Sequence, residues 1–220
     1  MGKKIIVFIP VLLVGAFYAY NQQFRQLHHA SDKRLLFLIV SVLLFYAWAL
    51  TGIIRRKQKS GFDVLVQSSF YVYAFSVLTL TGYFFLFGKV SSHDWWHGMM
   101  QRLHNKNGVN LTPFLFLRPG RMFSYDSVGN FFMLMPLGIY LPLLYKYTKN
   151  FFTATFVAML VSISIELMQL ASNFRVTDID DVILNTAGAA TGFILYLIFY
   201  VLILKPFVRP QQPMPAYVNR

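Results

Sequence analysis

The chain has 220 residues, of which 56% are hydrophobic and 13% are charged, and it contains no cysteine. The lack of cysteine excludes disulfides, thiolate catalysis and cysteine-bound metals. Several apolar runs have about 20 residues, the length that crosses a hydrocarbon core, so the sequence indicates an integral membrane protein. The net charge of +12 then belongs to the loops, where we expect contact with anionic membrane lipids and no nucleic-acid partner.

The apolar runs predict an all-α, polytopic membrane helical bundle of about six transmembrane helices. The spans lie at 5–23, 35–54, 67–87, 127–146, 151–171 and 182–204. The first run begins with basic residues, as a signal peptide does. It is too long for one and lacks a small-residue cleavage site, so we predict a retained span.

These spans divide the chain into four regions. Residues 1–87 are an N-terminal three-span region, 88–126 an extracytoplasmic loop, 127–204 a three-span core and 205–220 a proline-rich tail that we expect to be disordered. The loop carries a tryptophan pair, Trp95 and Trp96, and the apolar cluster 111–117. Such residues are typical of a segment that lies at the membrane interface.

An even number of spans places both termini on the same side of the membrane. With the termini in the cytoplasm, eleven of the twenty basic residues lie inside. Five of the nine outside belong to the long loop 88–126, which counts less in the positive-inside rule. The short loops therefore predict a multi-pass plasma-membrane protein with both termini in the cytoplasm.

The stretch from 162 to 192 is unusually polar for two apolar spans and the turn between them. Its polar and small residues fall on two helical stripes, which are Ser162, Glu166, Gln169 and Asn173 in the fifth span, and Asp181, Asn185, Gly188 and Gly192 in the sixth. The two glycines form a G-x-x-x-G pattern, which lets a neighbouring backbone approach closely. We therefore expect the two stripes to face each other, whereas Asp180 lies off the stripe of Asn185.

Three spans carry a polar residue at a similar depth. Glu166 is about five residues from the outer end of its span, roughly 8 Å inside the apolar boundary, and Asn185 and Asn130 lie at a comparable level. An unpaired carboxylate is costly there, so Glu166 should be protonated or paired, with Arg175 as the nearest partner in sequence. Intramembrane ionisable groups mark functional sites, although Asn130 and Gln169 could equally hold helices together.

The outer loop contains a histidine pattern that resembles a zinc motif. His93 and His97 have the spacing of H-E-x-x-H, and His104 follows. The adjacent Trp95 and Trp96 favour an interfacial segment instead, so we predict no metal site.

With these motifs, residues from about Asn110 to Tyr196 resemble the VanZ-like family of bacterial integral membrane proteins. The matching motifs are N-x-x-P-F (Asn110, Pro113, Phe114), N-x-x-x-x-x-P-x-G (Asn130, Pro136, Gly138), S-x-E-x-x-Q (Ser164, Glu166, Gln169) and R-x-x-D-x-D-D-x-x-x-N-x-x-G (Arg175, Asp178, Asp180, Asp181, Asn185, Gly188). Each fragment alone is weak, but their order and spacing together are specific.

The resemblance implies a protein of the bacterial plasma membrane. The founding member of the family is associated with resistance to teicoplanin, a lipoglycopeptide antibiotic that binds cell-wall precursors outside the membrane. The resemblance does not identify a cofactor. This chain departs from a minimal family member in its long basic loop and its proline-rich tail, which could alter the ligand.

Three functions are compatible with these residues. The first is a VanZ-like role in teicoplanin resistance or in handling of envelope lipids and lipid-linked cell-wall precursors, through a polar site at the outer face. The second is an enzyme acting on a lipid-linked head group, with Glu166 as general acid or base. The third is a proton-coupled transporter. The candidate catalytic residues are Glu166, Asp178 and Asp181, and the candidate substrate-binding residues are Arg175, Asn185, Asn130, Gln169, Asn110 and Arg121.

Overall fold

The computed structural model describes residues 32–55, 61–83, 92–105, 108–171, 176–200 and 202. The predicted span at 5–23, the tail at 205–220 and Arg175 lie outside these residues. The elements, in chain order, are α1 (Asp32–Arg55), α2 (Gly61–Leu80), α3 (Ser92–Asn105), β1 (Val109–Asn110), a 3-10 turn (Leu115–Leu117), α4 (Tyr125–Met133), α5 (Met135–Leu144), a second 3-10 turn (Lys146–Thr148), α6 (Phe151–Ala171), β2 (Thr177–Asp178) and α7 (Ile179–Phe199).

Most of the long helices are apolar enough to cross a membrane. Within the described residues, four stretches meet both the length and the composition of a span, namely α2, α4 together with α5, α6 and α7. Helix α1 matches the predicted span at 35–54 and contains the shorter apolar stretch Val40–Arg55. The predicted class, an all-α membrane protein, is confirmed.

Two helix boundaries differ from the prediction because of local capping. Helix α2 ends at Leu80 rather than at residue 87, and Gly82 just beyond it has a left-handed φ of 76°. A glycine in that conformation is a common way to end a helix. Helix α7 begins at Ile179 rather than at residue 182 because the side chain of Asp178 caps its first turn.

The fourth span is not one continuous helix but two, α4 and α5, which meet at Leu134. Pro136 lies in the first turn of α5 and has no N–H to donate, so the helical hydrogen bonds are interrupted there. The phenolic oxygen of Tyr73 on α2 donates to the carbonyl oxygen of Met133 at 2.9 Å. This bond satisfies a carbonyl at the break and fastens α2 to it.

Helix α7 packs against α4, α5 and α6, and three glycines make its closest crossing. A Cβ atom at Gly188 would overlap the carbonyl oxygen of Phe131, and one at Gly192 would overlap that of Met135. Gly138 on α5 meets α7 from the other side in the same way. The glycine stripe of the sixth span therefore faces the broken fourth span, not the polar stripe of the fifth span as the sequence predicts.

A two-residue parallel ladder joins the loop to the turn between α6 and α7. Val109 pairs with Thr177, and Asn110 pairs with Asp178. The N–H of Thr177 also donates to the carbonyl of Gly108 at 2.9 Å. The ladder lies where α2 and α6 finish and α4 and α7 begin, and we call this end of the bundle the loop end.

The close crossing of α7 predicts that a single methyl group at its glycines is destabilising. We expect Gly188→Ala and Gly192→Ala each to lower the free energy of unfolding by about 1–3 kcal/mol, the usual cost of overpacking. Gly61→Ala is the control, because a Cβ there meets nothing within 4 Å. Thermal unfolding in detergent measures the effect, and equal melting temperatures for the three variants would contradict the close packing.

Candidate functional site

Asp178 joins the loop to the first turn of α7. Its Oδ1 accepts a hydrogen bond from the N–H of Asp180 at 2.9 Å, which caps the helix. Its Oδ2 accepts from the Nδ2 of Asn110 at 2.9 Å. The Oδ1 of Asn110 in turn accepts from the N–H of Thr112 at 3.2 Å. Both residues belong to the predicted site, and the structure gives each of them a role in holding the loop.

Asp180, which sequence reasoning set aside, is the main anchor of the loop. It is 5% exposed, and its carboxylate accepts the N–H groups of Phe114 at 2.6 Å and of Phe116 at 3.0 Å. Hydrogen bonds to a carboxylate are about twice as strong as neutral ones. They offset the left-handed φ of Phe114, 65°, which costs an L-residue about 1–2 kcal/mol. Helical periodicity could not find this role, because the donors come from a distant loop.

Glu166 lies beside the same turn. Its side chain is 4% exposed, and its Oε2 accepts the N–H of Asp178 at 3.0 Å. Its carbonyl oxygen accepts the hydroxyl of Thr177 at 3.2 Å. Glu166 thus holds β2 against α6.

Arg102 on α3 was not singled out from the sequence, yet it connects the loop helix to the bundle. Its Nη1 donates to the carbonyl of Leu170 near the end of α6 at 2.9 Å, and its Nη2 donates to the carbonyl of Gly108 at 3.3 Å. Gly108 has a φ of 75°, and a Cβ there would meet the guanidinium group. A cation at a helix C-terminus also interacts favourably with the helix dipole.

A cavity of about 830 Å³ opens at the loop end. It contains four residues of the predicted site from three helical segments, namely Asn130, Gln169, Asp178 and Asp181. The other lining residues are Tyr73, Ser76, Val77, Leu80, Tyr125, Asp126, Gly129, Phe132, Met133, Pro136 and Val176. Three of the residues around it are aspartates, and the described lining has no Lys, Arg or His. The wall of the cavity therefore combines acidic and amide side chains with apolar ones.

The remaining described members of the predicted site do not line this cavity. Glu166 and Asn110 take part in the contacts of the turn, and Asn185 is fully buried in the bundle. The side chain of Arg121 is exposed on the loop. The structure therefore divides the predicted site into a group that holds the loop and a group that surrounds the cavity.

Asn185 and Ser162 are fully buried polar residues in the middle of the bundle, each 0% exposed. Among the described protein residues, neither the amide atoms of Asn185 nor the hydroxyl of Ser162 has a hydrogen-bond partner. A buried polar group without a partner costs about 1–3 kcal/mol. The burial agrees with the inward direction that the sequence predicts for the two stripes.

The histidine pattern of the loop lies on α3. His97 and His104 are exposed there. Across the described residues, no three His, Asp or Glu side chains are grouped so that they could hold a metal ion.

The loop next to the cavity presents apolar side chains on its surface. Leu111, Phe114, Leu117, Met122 and Phe123 are all more than half exposed. Apolar side chains on a membrane-protein surface at the end of the spans are suited to the lipid interface.

Together, the apolar helices and the acidic cavity define an all-helical membrane protein with a polar site at one end of its spans. A family model described as VanZ/LLP1 matches residues 70–200, more than half of the chain. The chain therefore belongs to the VanZ/LLP1 family, as its motifs predict. No curated protein and no solved structure matches it.

The anchoring role of Asp180 predicts that its loss frees the loop. Asp180→Ala removes the acceptor of two backbone hydrogen bonds, each worth about 1.5–3 kcal/mol when a charge takes part. We expect hydrogen exchange at the amides of Phe114 and Phe116 to accelerate by about tenfold or more. Asp126→Ala removes the same charge from an exposed position and should leave that exchange unchanged. Equal protection of these two amides in Asp180→Ala and Asp126→Ala would refute the anchoring role of Asp180.

The burial of Asn185 predicts that an apolar residue at this position does not destabilise the protein. Asn185→Leu replaces an amide that has no described protein partner with an apolar group of similar size, so the melting temperature should hold or rise. Asn110→Leu is the matched control. It breaks the bond to Asp178 and should cost about 1–3 kcal/mol. Thermal unfolding in detergent measures both variants. A larger loss of stability in Asn185→Leu than in Asn110→Leu would contradict the prediction, because it would show that the Asn185 amide stabilises the fold.

Proposed function

We propose that this VanZ/LLP1 protein binds the polar head group of an amphiphilic envelope molecule in the cavity at the loop end. The observation that carries the proposal is the composition of the cavity wall, which combines aspartates and amides with apolar residues. A pocket of this kind suits a molecule with a polar head and an apolar tail. Lipid-linked cell-wall precursors, envelope lipids and lipoglycopeptides such as teicoplanin all have that chemistry.

The charge of the cavity narrows the kind of head group. Asp126, Asp178 and Asp181 contribute three carboxylates, and no described lining residue is basic. Carboxylates accept hydrogen bonds from ammonium and hydroxyl groups, and they repel a head group whose only charge is negative. The cavity therefore favours a head group that presents amines or sugar hydroxyls. Arg175 stays a predicted ligand for an anionic group of the same molecule.

We further propose that the loop end faces the outside of a bacterial plasma membrane, with both termini in the cytoplasm. The distribution of basic residues in the short loops supports this orientation. The exposed apolar residues of the loop support a position at the lipid interface. In that position the cavity is accessible to envelope molecules of the outer leaflet. Binding there could reduce the access of a lipoglycopeptide to its precursor targets, which links the site to glycopeptide resistance.

Binding accounts for Glu166 better than acid–base catalysis does. A general acid or base must reach the proton that it transfers, whereas Glu166 does not line the cavity and its Oε2 accepts the N–H of Asp178. Catalysis on a head group is the second candidate, because Asp178 and Asp181 do line the cavity. In a transporter, the carbonyls freed at the break in the fourth span could coordinate an ion. The carbonyl of Met133 at the break accepts the hydroxyl of Tyr73 instead. This contact argues against the transporter as the preferred function.

The proposal predicts that Asp181 contributes to binding. Asp181→Asn should weaken binding of teicoplanin, or of phosphatidylethanolamine, by about tenfold, which corresponds to about 1.4 kcal/mol. Asp63→Asn is the matched control, since it makes the same charge change in the first turn of α2, at the opposite end of the bundle. Titration of the purified protein in detergent measures both affinities. Unchanged affinity of Asp181→Asn for both probes would refute the binding site.

Glu166→Gln separates binding from catalysis. Glutamine keeps a side-chain oxygen that can accept the N–H of Asp178 but cannot act as an acid or base. Under the binding proposal, cells that produce this variant should have the same teicoplanin susceptibility as cells with the parent protein. A lost phenotype at normal protein level and normal melting temperature would favour catalysis or proton coupling.

A further inference from the structure

A second cavity, of about 730 Å³, runs as a groove between α1, α2, α5 and α6. Its walls are almost entirely apolar. The lining residues are Phe45, Trp48, Phe70, Tyr73, Ala74, Val77, Leu78, Leu134, Leu137, Leu141, Tyr145, Tyr147, Thr148, Val157, Leu160, Val161, Ser164, Ile165 and Met168. We call this cavity the apolar groove.

The apolar groove shares wall residues with the acidic cavity. Tyr73 and Val77 of α2 line both of them. On α6, Met168 lines the groove and the next residue, Gln169, lines the cavity. The two spaces therefore adjoin at the loop end, and a molecule with its head in one has its tail at the entrance of the other.

The hydroxyl groups in the groove wall do not need a polar ligand. Thr148 donates to the carbonyl of Leu141 at 2.6 Å, and Ser164 donates to the carbonyl of Leu160 at 2.7 Å. Because these groups are satisfied by the backbone, the wall is suited to a hydrocarbon and poorly suited to a polar or charged group.

Along α6, the groove has the length of an acyl chain in one leaflet. Its wall on α6 extends from Val157 to Met168, about 16 Å at 1.5 Å per residue. One leaflet contributes about 15 Å, half of the hydrocarbon core of about 30 Å. Trp48 and Leu160 in the wall are each 46% exposed, so the groove is open at its side, where a membrane lipid can enter.

We propose that the apolar groove holds an acyl chain of a membrane phospholipid whose head group carries a primary ammonium, with the ammonium in the acidic cavity. This inference rests on the proposed function and names its ligand. The groove supplies the apolar contact, worth about 0.8 kcal/mol for each buried methylene. The aspartates of the cavity supply the selectivity for the ammonium.

Photolabelling in nanodiscs tests whether the groove holds an acyl chain. The probe is phosphatidylethanolamine with a diazirine on its acyl chain, and the labelled residues are found by mass spectrometry. We expect labels on Val157, Val161 and neighbouring residues of the groove. Ala74→Trp fills the groove and should reduce labelling at least fivefold. Ala187→Trp, on an exposed part of α7 outside the groove, should not reduce it. Equal labelling in the two tryptophan variants would overturn the inference.

A second arm tests the head group. Phosphatidylglycerol with the same diazirine chain lacks the ammonium and should label the groove several-fold less, and Asp181→Asn should remove that difference. Equal labelling by the two lipids in the parent protein would overturn the inference. If Ala74→Trp has no effect while Asp181→Asn still weakens phosphatidylethanolamine binding, the groove is refuted and the binding cavity stands. If Asp181→Asn has no effect on either probe, the binding cavity itself is refuted.

The other candidate occupant is the chain's own apolar segment 5–23, and a cross-link distinguishes it from a lipid. The chain has no cysteine, so an introduced pair reports on one contact only. We expect Leu13→Cys combined with Val161→Cys to stay uncross-linked under mild oxidation. Cross-linking of most of the protein would overturn the inference.

Discussion

The loop end depends on the carboxylates of the turn before α7, which accept backbone and amide N–H groups. Asp178 caps the helix and binds Asn110, while Asp180 accepts the N–H groups of Phe114 and Phe116. The bonds to Asn110, Phe114 and Phe116 join residues more than sixty positions apart in the chain. A carboxylate without hydrogen-bond donors is destabilising near lipid, and backbone N–H groups supply the donors here. Without them, neither the loop nor the wall of the cavity beside it would have a fixed position.

The acidic residues of the loop end fall into two groups, those that accept backbone N–H groups and those that line the cavity. Asp180 and Glu166 are buried and hold backbone groups, whereas Asp181 lies on the wall of the cavity. Asp178 does both, since it caps α7 and borders the cavity. A carboxylate oxygen that already accepts a backbone N–H has less capacity left to accept hydrogen bonds from a ligand. The residues that line the cavity are the ones that we propose to contact a ligand, and their negative charge is the basis of the proposed preference for amines and hydroxyls.

The shape of the two cavities follows from the way the broken fourth span meets α7 and α2. Gly188 and Gly192 let α7 approach the backbones of α4 and α5. On the other side, Tyr73 binds the carbonyl at the break and lies between the acidic cavity and the apolar groove. A single side chain thus satisfies the interrupted helix and forms part of both walls. The close crossing and the open groove involve different residues of the same broken span.

The sequence by itself determined the membrane class, the approximate spans and the family, because hydrophobic length and motif spacing are properties of the chain alone. It also singled out Asn130 and Gln169, since a polar residue inside an apolar span is costly and stands out, and Asp178 and Asp181 in the acidic turn between two spans. Only the tertiary structure decided that Asp180 anchors the loop, that Arg102 fastens α3 and that the glycines of α7 meet the fourth span instead of the fifth. Hydrogen-bond donors and neighbouring helices come from distant parts of the chain. Periodicity shows which side of a helix is buried, but it carries no information about which partner buries it.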